Sequence, residues 1–166
     1  MELPELPQRK RMRLETWDYS SVGGYFLTFC IKNMDCLLGD VCVRDGVFDV
    51  PEVRLSYFGT IVRDQILEME RTYSNLMIDK FCVMPNHVHL LITLRNGTSG
   101  TPSRTNETIP AFVSTLKRFT NQKCGQKLWH RSYYDHIIRN EADYRRIWHY
   151  IDTNPQKWED APYYKG

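Results

Sequence analysis

At 166 residues, with 42% hydrophobic and 25% charged side chains, the chain has the size and balance of one globular domain with a real core. No stretch approaches transmembrane length, the N-terminus lacks an apolar signal core, and five cysteines without CxxC spacing argue against a disulfide framework or a cysteine zinc site, so a cytoplasmic chain that avoids the membrane is expected. The net charge of +2 is uneven: residues 1–100 carry 11 basic and 13 acidic side chains, residues 101–166 carry 11 and 7, a C-terminal excess that suits a polyanion.

Residues 1–22 read as an N-terminal arm containing the basic run Arg9-Lys10-Arg11-Met12-Arg13, and residues 23–166 as one domain. Gly23-Gly24 leads into the aromatic and β-branched run Tyr25–Ile31, a first strand. Turn signals at Gly39-Asp40 and Asp45-Gly46, the second flanked by Val41-Cys42-Val43 and Val47-Phe48, predict a short hairpin over 39–50. From Pro51, a residue suited to a first helical turn, to about Tyr73, the spacing of Leu55, Phe58, Val62, Ile66 and Met69 predicts a helix. Leu76–Met84 and His87–Leu94 read as antiparallel strands joined at Pro85-Asn86. The polar stretch 96–108 reads as a loop. Phe112, Leu116 and Phe119 then mark a helix over about Ile109–Lys123.

A strand over Tyr134–Ile138 follows, and a last helix from Glu141 to about Thr153, stopped by Asn154-Pro155 because a residue before proline avoids the α region. The order strand, helix, strand, strand, helix, strand predicts an α+β fold: a ferredoxin-like split βαβ sandwich, antiparallel sheet with helices on one face, plus a C-terminal helix. Such a fold serves many functions and names none.

Side chains two apart on a strand share a face, so His87 and His89 project together while Val88, Leu90 and Ile92 turn to a core. Two co-facing imidazoles are half of a divalent-metal site, or simply polar surface; the pair alone does not decide. On the last helix, Tyr144, Ile147, Trp148 and Ile151 form an apolar stripe, whereas Arg146, Tyr150 and Asn154 share another face at i, i+4 and i+8. A tyrosine one turn before a helix-ending asparagine is also a common surface arrangement.

Together, Val83-Met-Pro-Asn-His-Val-His-Leu-Leu91, Trp129-His-Arg-Ser-Tyr-Tyr-Asp-His-Ile-Ile-Arg-Asn-Glu-Ala-Asp-Tyr-Arg-Arg146 and Tyr150-Ile-Asp-Thr-Asn154-Pro resemble the HUH single-strand DNA nucleases with one catalytic tyrosine. The likeness is closest to the REP-associated tyrosine transposases, relatives of the small insertion-sequence transposases, and runs from about Tyr25 to Trp158. It implies a metal-dependent single-stranded DNA endonuclease and strand transferase acting on hairpin repeats through a 5′-phosphotyrosine. By position it implies Tyr150 as nucleophile, with His87, His89 and Asn154 holding Mg²⁺ or Mn²⁺. Insertion-sequence relatives often have glutamine at the third ligand position; asparagine is one methylene shorter and requires the helix to sit closer to the sheet.

Phosphate contacts are expected among Lys117, Arg118, Lys123, Arg131, Arg139, Arg145 and Arg146, and base stacking from Trp129, Tyr133 or Trp158. Arg146 could also steady the phenolate of Tyr150, or simply stand in solvent. Monomer and homodimer both remain open, since the insertion-sequence relatives complete their sites across subunits. Two other readings stand beside this one: a DNA-binding regulator that has kept the fold without the chemistry, and an unrelated metal-dependent hydrolase that does not need Tyr150.

Overall fold

A computed structural model describes residues 18–43, 50–95 and 108–161, so the basic run at 9–13 lies outside the described residues. The strands are β1 (Gly23–Cys30), β2 (Gly39–Val43), β3 (Pro51–Leu55), β4 (Leu76–Val83), β5 (His87–Leu94) and β6 (Tyr134–Ile138); the helices are α1 (Tyr57–Thr72), α2 (Ile109–Cys124) and α3 (Glu141–Asp152). A four-stranded sheet has the order β4-β5-β1-β6, antiparallel at every pairing, and β2 and β3 form a separate ribbon. This is the split βαβ arrangement expected from the element order.

Alternation along the two central strands divides the sheet into two unlike faces. Leu27, Phe29, Val88, Leu90 and Ile92 join Val62, Ile66 and Met69 of α1 and Phe112, Val113 and Leu116 of α2 in the main core. On the opposite face Phe26 and Leu91 pack against Ile147 and Ile151 of α3. His87 and His89 share that second face, and the register sets His89 opposite Thr28 and Leu91 opposite Phe26. Tyr19, inside the arm expected over 1–22, already packs on the main core.

The helix expected from Pro51 begins later. Pro51–Leu55 is strand β3, pairing Val53 with Val41 and Pro51 with Val43, while Val47 and Phe48 lie outside the described residues. Leu55 suits either period; what decides is Ser56, whose Oγ accepts from Gly59 N at 3.1 Å as the N-cap of α1. Its hydroxyl also donates to Leu37 O at 2.6 Å, tying the helix start to the segment before β2. α2 starts on a Thr108 cap and ends on Gly125 in the left-handed region at φ 67°, and α3 starts on an Asn140 cap.

The apolar stripe expected on α3 is only partly buried. Ile147 and Ile151 are in the core, but Trp148 is 39% exposed, with Lys80 Nζ 4.6 Å from its ring centroid. β4 is the edge strand beneath α3, and a cationic edge partner suits an indole that has no further sheet to cover.

Candidate active site

The turn Pro85-Asn86 closes the β4–β5 hairpin, with Met84 N donating to His87 O at 2.8 Å. It also brings the buried Asn86 side chain against His87: Asn86 Oδ1 lies 2.8 Å from His87 Nδ1, and Asn86 Nδ2 donates to Met34 O at 3.2 Å. An amide oxygen only accepts, so His87 Nδ1 carries the proton and Nε2 of the neutral ring does not. His89 Nδ1 lies 2.8 Å from Thr28 Oγ1 on the neighbouring strand. The two Nε2 atoms face each other at 3.0 Å.

Both imidazoles are buried. Burial pushes His87 down to about 4, the Asn154 amide pulling weakly the other way. His89 is held well below its ordinary value by burial and then by the neighbouring His87. Both rings are therefore neutral, the form that ligates metal.

Asn154 reaches this point from the other side. α3 ends at Asp152, and Asn154 is buried immediately after it, its Oδ1 making no well-formed hydrogen bond. An orphaned buried amide oxygen is costly unless something positive meets it. Two ligands at right angles on bonds of about 2.1 Å stand about 3.0 Å apart, as the two Nε2 atoms do. This donor set of two imidazoles and one amide oxygen fits a divalent cation. Among the described residues no three His, Cys, Asp or Glu side chains come together as a metal site. Trp158, in the turn after α3, lies face to face with His87 at 6.0 Å between centroids and 30° between planes.

Tyr150 sits one helical turn before Asn154, its ring 5.2 Å from His89 and 5.9 Å edge-on to Phe26. It opens onto a cleft of about 340 Å³ lined by Phe26, Thr28, His89, Tyr134, His136, Arg146, Ile147 and Tyr150. Arg146 Nη2 donates to Asp143 Oδ1 at 2.6 Å, and His136 Nε2 lies 2.7 Å from Asp143 Oδ2. Partial burial raises the Asp143 pKa, but the bonds from Arg146, His136 and the Arg139 N–H win, and hold it at about 2. The four residues His87, His89, Tyr150 and Asn154 thus meet within one chain.

The basic residues divide into two groups. Arg139, Arg145 and Arg146 lie at the start of α3, Arg139 and Arg146 lining a surface pocket that adjoins the cleft and Arg145 paired with Glu141 at 2.9 Å. Lys117, Arg118 and Lys123 lie on α2, and a groove of about 490 Å³ there is lined by Lys117, Arg118, Lys127 and Arg131 among others. Lys117 turns inward: its ammonium donates to the carbonyls of His130 at 2.9 Å, Arg131 at 3.4 Å and Ser132 at 3.0 Å, so its charge braces that loop.

The aromatic side chains expected to stack bases are buried instead. Trp129 donates Nε1–H to Thr120 Oγ1 at 2.7 Å, Tyr133 packs on Phe29 and Trp158 covers His87. Tyr134, 47% exposed, lines the cleft in their place. Tyr133 and Tyr134 alternate in exposure, the first buried and the second open. Thr28 and Asn86 are further side chains at the site that the spacing does not mark, and His136 reads from the sequence only as a histidine that could be taken for an extra ligand. The strand pattern around Pro85-Asn86 could have indicated Asn86; nothing local marks Thr28.

The family described as transposase IS200 like matches residues 50–154, from β3 through the paired histidines to Asn154. A Haemophilus influenzae protein named only "Uncharacterized protein" is 30% identical over 94% of this chain and 93% of its own length. The REP-associated tyrosine transposase of Escherichia coli K12 is 34% identical over 58% of this chain and 54% of its own. A solved structure of a REP-associated tyrosine transposase bound to a REP hairpin shares the fold, with a TM-score of 0.62 at 24% identity over 88% of this chain and 74% of that one. The chain belongs to the IS200-like transposase family, with REP-associated tyrosine transposases among its relatives, in keeping with the motifs around His87 and Tyr150.

Proposed function

We propose that this transposase-family chain is a metal-dependent single-stranded DNA endonuclease and strand transferase acting on hairpin repeats. The observation that carries the reading is the placement of the Tyr150 phenol against His89, which lines the cleft and whose Nε2 meets that of the buried His87, with the buried Asn154 amide on His87. A relative solved with a REP hairpin supports hairpin-bearing DNA as the partner.

Tyr150 attacks a phosphodiester, its oxygen forming a bond to phosphorus as the 3′-oxygen leaves. The products are a 5′-phosphotyrosine and a free 3′-hydroxyl, and the reverse attack reseals a strand without ATP. His87, His89 and Asn154 would hold Mg²⁺ or Mn²⁺, the latter better matched to imidazole, and the ion would offset charge on the phosphate. Asn86 and Thr28 orient the two rings, and Trp158 keeps water from the His87 side. Arg146 is placed to meet a phosphate oxygen, with Asp143 fixing its direction. Arg139 and Arg145 extend the contacts along the strand; Arg118, Lys123 and Arg131 offer a second basic surface on α2. Tyr134 gives the cleft a ring on which an unpaired base can stack.

We assign 23–166 to a single HUH domain that assembles its site within one chain and works as a monomer or homodimer in the cytoplasm, on nucleoid DNA. Among the described residues no helix is long and apolar enough to cross a membrane.

Incubation with single-stranded hairpin oligonucleotides and Mn²⁺ tests the reading. A protein–DNA adduct that survives denaturation and is lost in Tyr150→Phe is expected. Binding without any adduct would mean a regulator that has kept only the fold, and cleavage surviving Tyr150→Phe would mean a hydrolase.

A further inference from the structure

We infer that His136 is the proton donor to the departing 3′-oxygen and that Asp143 is the residue that positions it; the inference rests on the transesterification proposed above. A phosphodiester exchange removes a proton from the attacking phenol and returns one to the leaving alkoxide, so a group in the cleft must supply the second. The lining residues narrow the choice. His89 has one ring nitrogen on Thr28 and the other on His87, and Tyr150 is the nucleophile. Arg146 does not release its proton, and Tyr134 is the ring on which an unpaired base can stack. His136 is the remaining lining imidazole, the side-chain type that most often serves as a general acid or base.

Its surroundings match that task. His136 Nε2 is bonded to Asp143 Oδ2 at 2.7 Å, and no other hydrogen bond engages its ring among the described residues, leaving Nδ1 available. Asp143 is itself fixed from three sides: its backbone N–H donates to the Asn140 cap at 2.9 Å, Arg146 holds Oδ1 at 2.6 Å, and the Arg139 N–H reaches Oδ2 at 3.4 Å. An immobile carboxylate on one ring nitrogen fixes the ring and sets the direction of the N–H on the other side.

Position along α3 then separates the roles. Asp143, Arg146 and Tyr150 fall on one face at i, i+3 and i+7, spanning about 10 Å. Tyr150 stands at the His89 end, His136 is held at the Asp143 end, and Arg146 lies between them. In an in-line displacement the attacking and leaving oxygens lie on opposite sides of phosphorus. With Tyr150 entering from the His89 end, the leaving oxygen faces His136. The Tyr150 oxygen bonds to phosphorus and its proton passes to water. The bond from phosphorus to the 3′-oxygen breaks, and that oxygen keeps the pair and takes the proton from Nδ1. The neutral ring remains, its Nε2–H donated to Asp143. On resealing, Nδ1 takes the proton back from the attacking 3′-hydroxyl as phenolate leaves.

The test is single-turnover cleavage of two otherwise identical hairpin oligonucleotides, one with the ordinary 3′-oxygen at the scissile bond and one with a bridging 3′-sulfur. A thiolate leaves without protonation. Wild type and Tyr150→Phe come first: no wild-type adduct, or cleavage by Tyr150→Phe, overturns the transesterification itself and this inference with it. Given a Tyr150-dependent adduct, His136→Gln, which keeps an amide donor toward Asp143, is expected to slow cleavage of the oxygen substrate by about 100-fold or more. It is expected to cleave the sulfur substrate within a few-fold of wild type. Asp143→Asn should show a smaller loss, likewise removed by sulfur. An equal loss on both substrates, or no loss on oxygen, overturns the assignment. His136→Asn gives the same comparison should the glutamine variant not fold.

Discussion

The phenol ring of Tyr150 on α3 lies 5.2 Å from the imidazole of His89 on β5, centroid to centroid, within a single chain. The contact depends on α3 lying across the sheet face that main-core helices α1 and α2 leave open. Ile147 and Ile151 anchor the helix to Phe26 and Leu91, and one turn of register then decides what Tyr150 meets. Removing only the hydroxyl, as Tyr150→Phe does, keeps this packing. That variant should bind hairpin DNA with unchanged affinity while adduct formation falls by about 1,000-fold or more. A filter-binding titration beside a denaturing gel checks both halves, and a large loss of affinity would point to a binding role for the hydroxyl instead.

Asn154 carries a sharper expectation because its buried oxygen has no partner. Asn154→Ala should weaken Mn²⁺ binding by about tenfold or more, and lower the melting temperature by more with Mn²⁺ than without it. Calorimetric titration with Mn²⁺ and melting curves with and without metal read the two effects separately. A variant that binds Mn²⁺ as wild type does would remove Asn154 from the ligand set.

The paired histidines should make the metal-free protein acid-sensitive. His87 titrates near 4 in the fold and near 6.5 when unfolded, so between those values the unfolded chain binds more protons and stability falls as pH falls. By pH 4 the loss from His87 alone is on the order of 3 kcal/mol, and His89, shifted in the same direction, adds to it. Urea unfolding at pH 7, 5.5 and 4.5 should show this decline, flattened in His87→Gln. A wild-type stability that stayed level or rose on acidification would contradict it.

Gly59 offers a test of the frame that carries the site. A Cβ built there would stand 1.9 Å from Leu38 O, the same carbonyl that accepts from Ser56 N at 2.9 Å. Because that oxygen is backbone, the first turn of α1 cannot approach as closely with alanine. Gly59→Ala should cost about 2 kcal/mol or more despite alanine's better helix propensity. Denaturant unfolding measures it, and a neutral or stabilising result would mean the approach is looser than described.

Much of the site was legible because two periods place it. Alternation put His87 and His89 on one face and Val88, Leu90 and Ile92 on the other, and helical spacing put Arg146 and Tyr150 together; both hold in the fold, while Asn154, past the end of α3, is buried outside the cleft lining. What was illegible depends on partners distant in sequence. Leu55 fits a helix as well as a strand until the Val41–Val53 pairing and the Ser56 cap choose. Trp129 resembled a stacking platform until Thr120 claimed its indole N–H, and Trp148 was counted inward although the sheet ends beneath it. His136 is a solitary histidine on a short strand, and only the turn from β6 into α3 brings Asp143 to it.

Mixing two inactive variants tests the one-chain site most directly. His89→Ala keeps the tyrosine and lacks a ligand; Tyr150→Phe keeps the ligands and lacks the nucleophile. With wild type forming its adduct alongside, an equimolar mixture of the two should form none, at any protein concentration. An adduct appearing on the His89→Ala chain in that mixture would show that the phenol of one molecule works over the imidazoles of another, and would contradict the account.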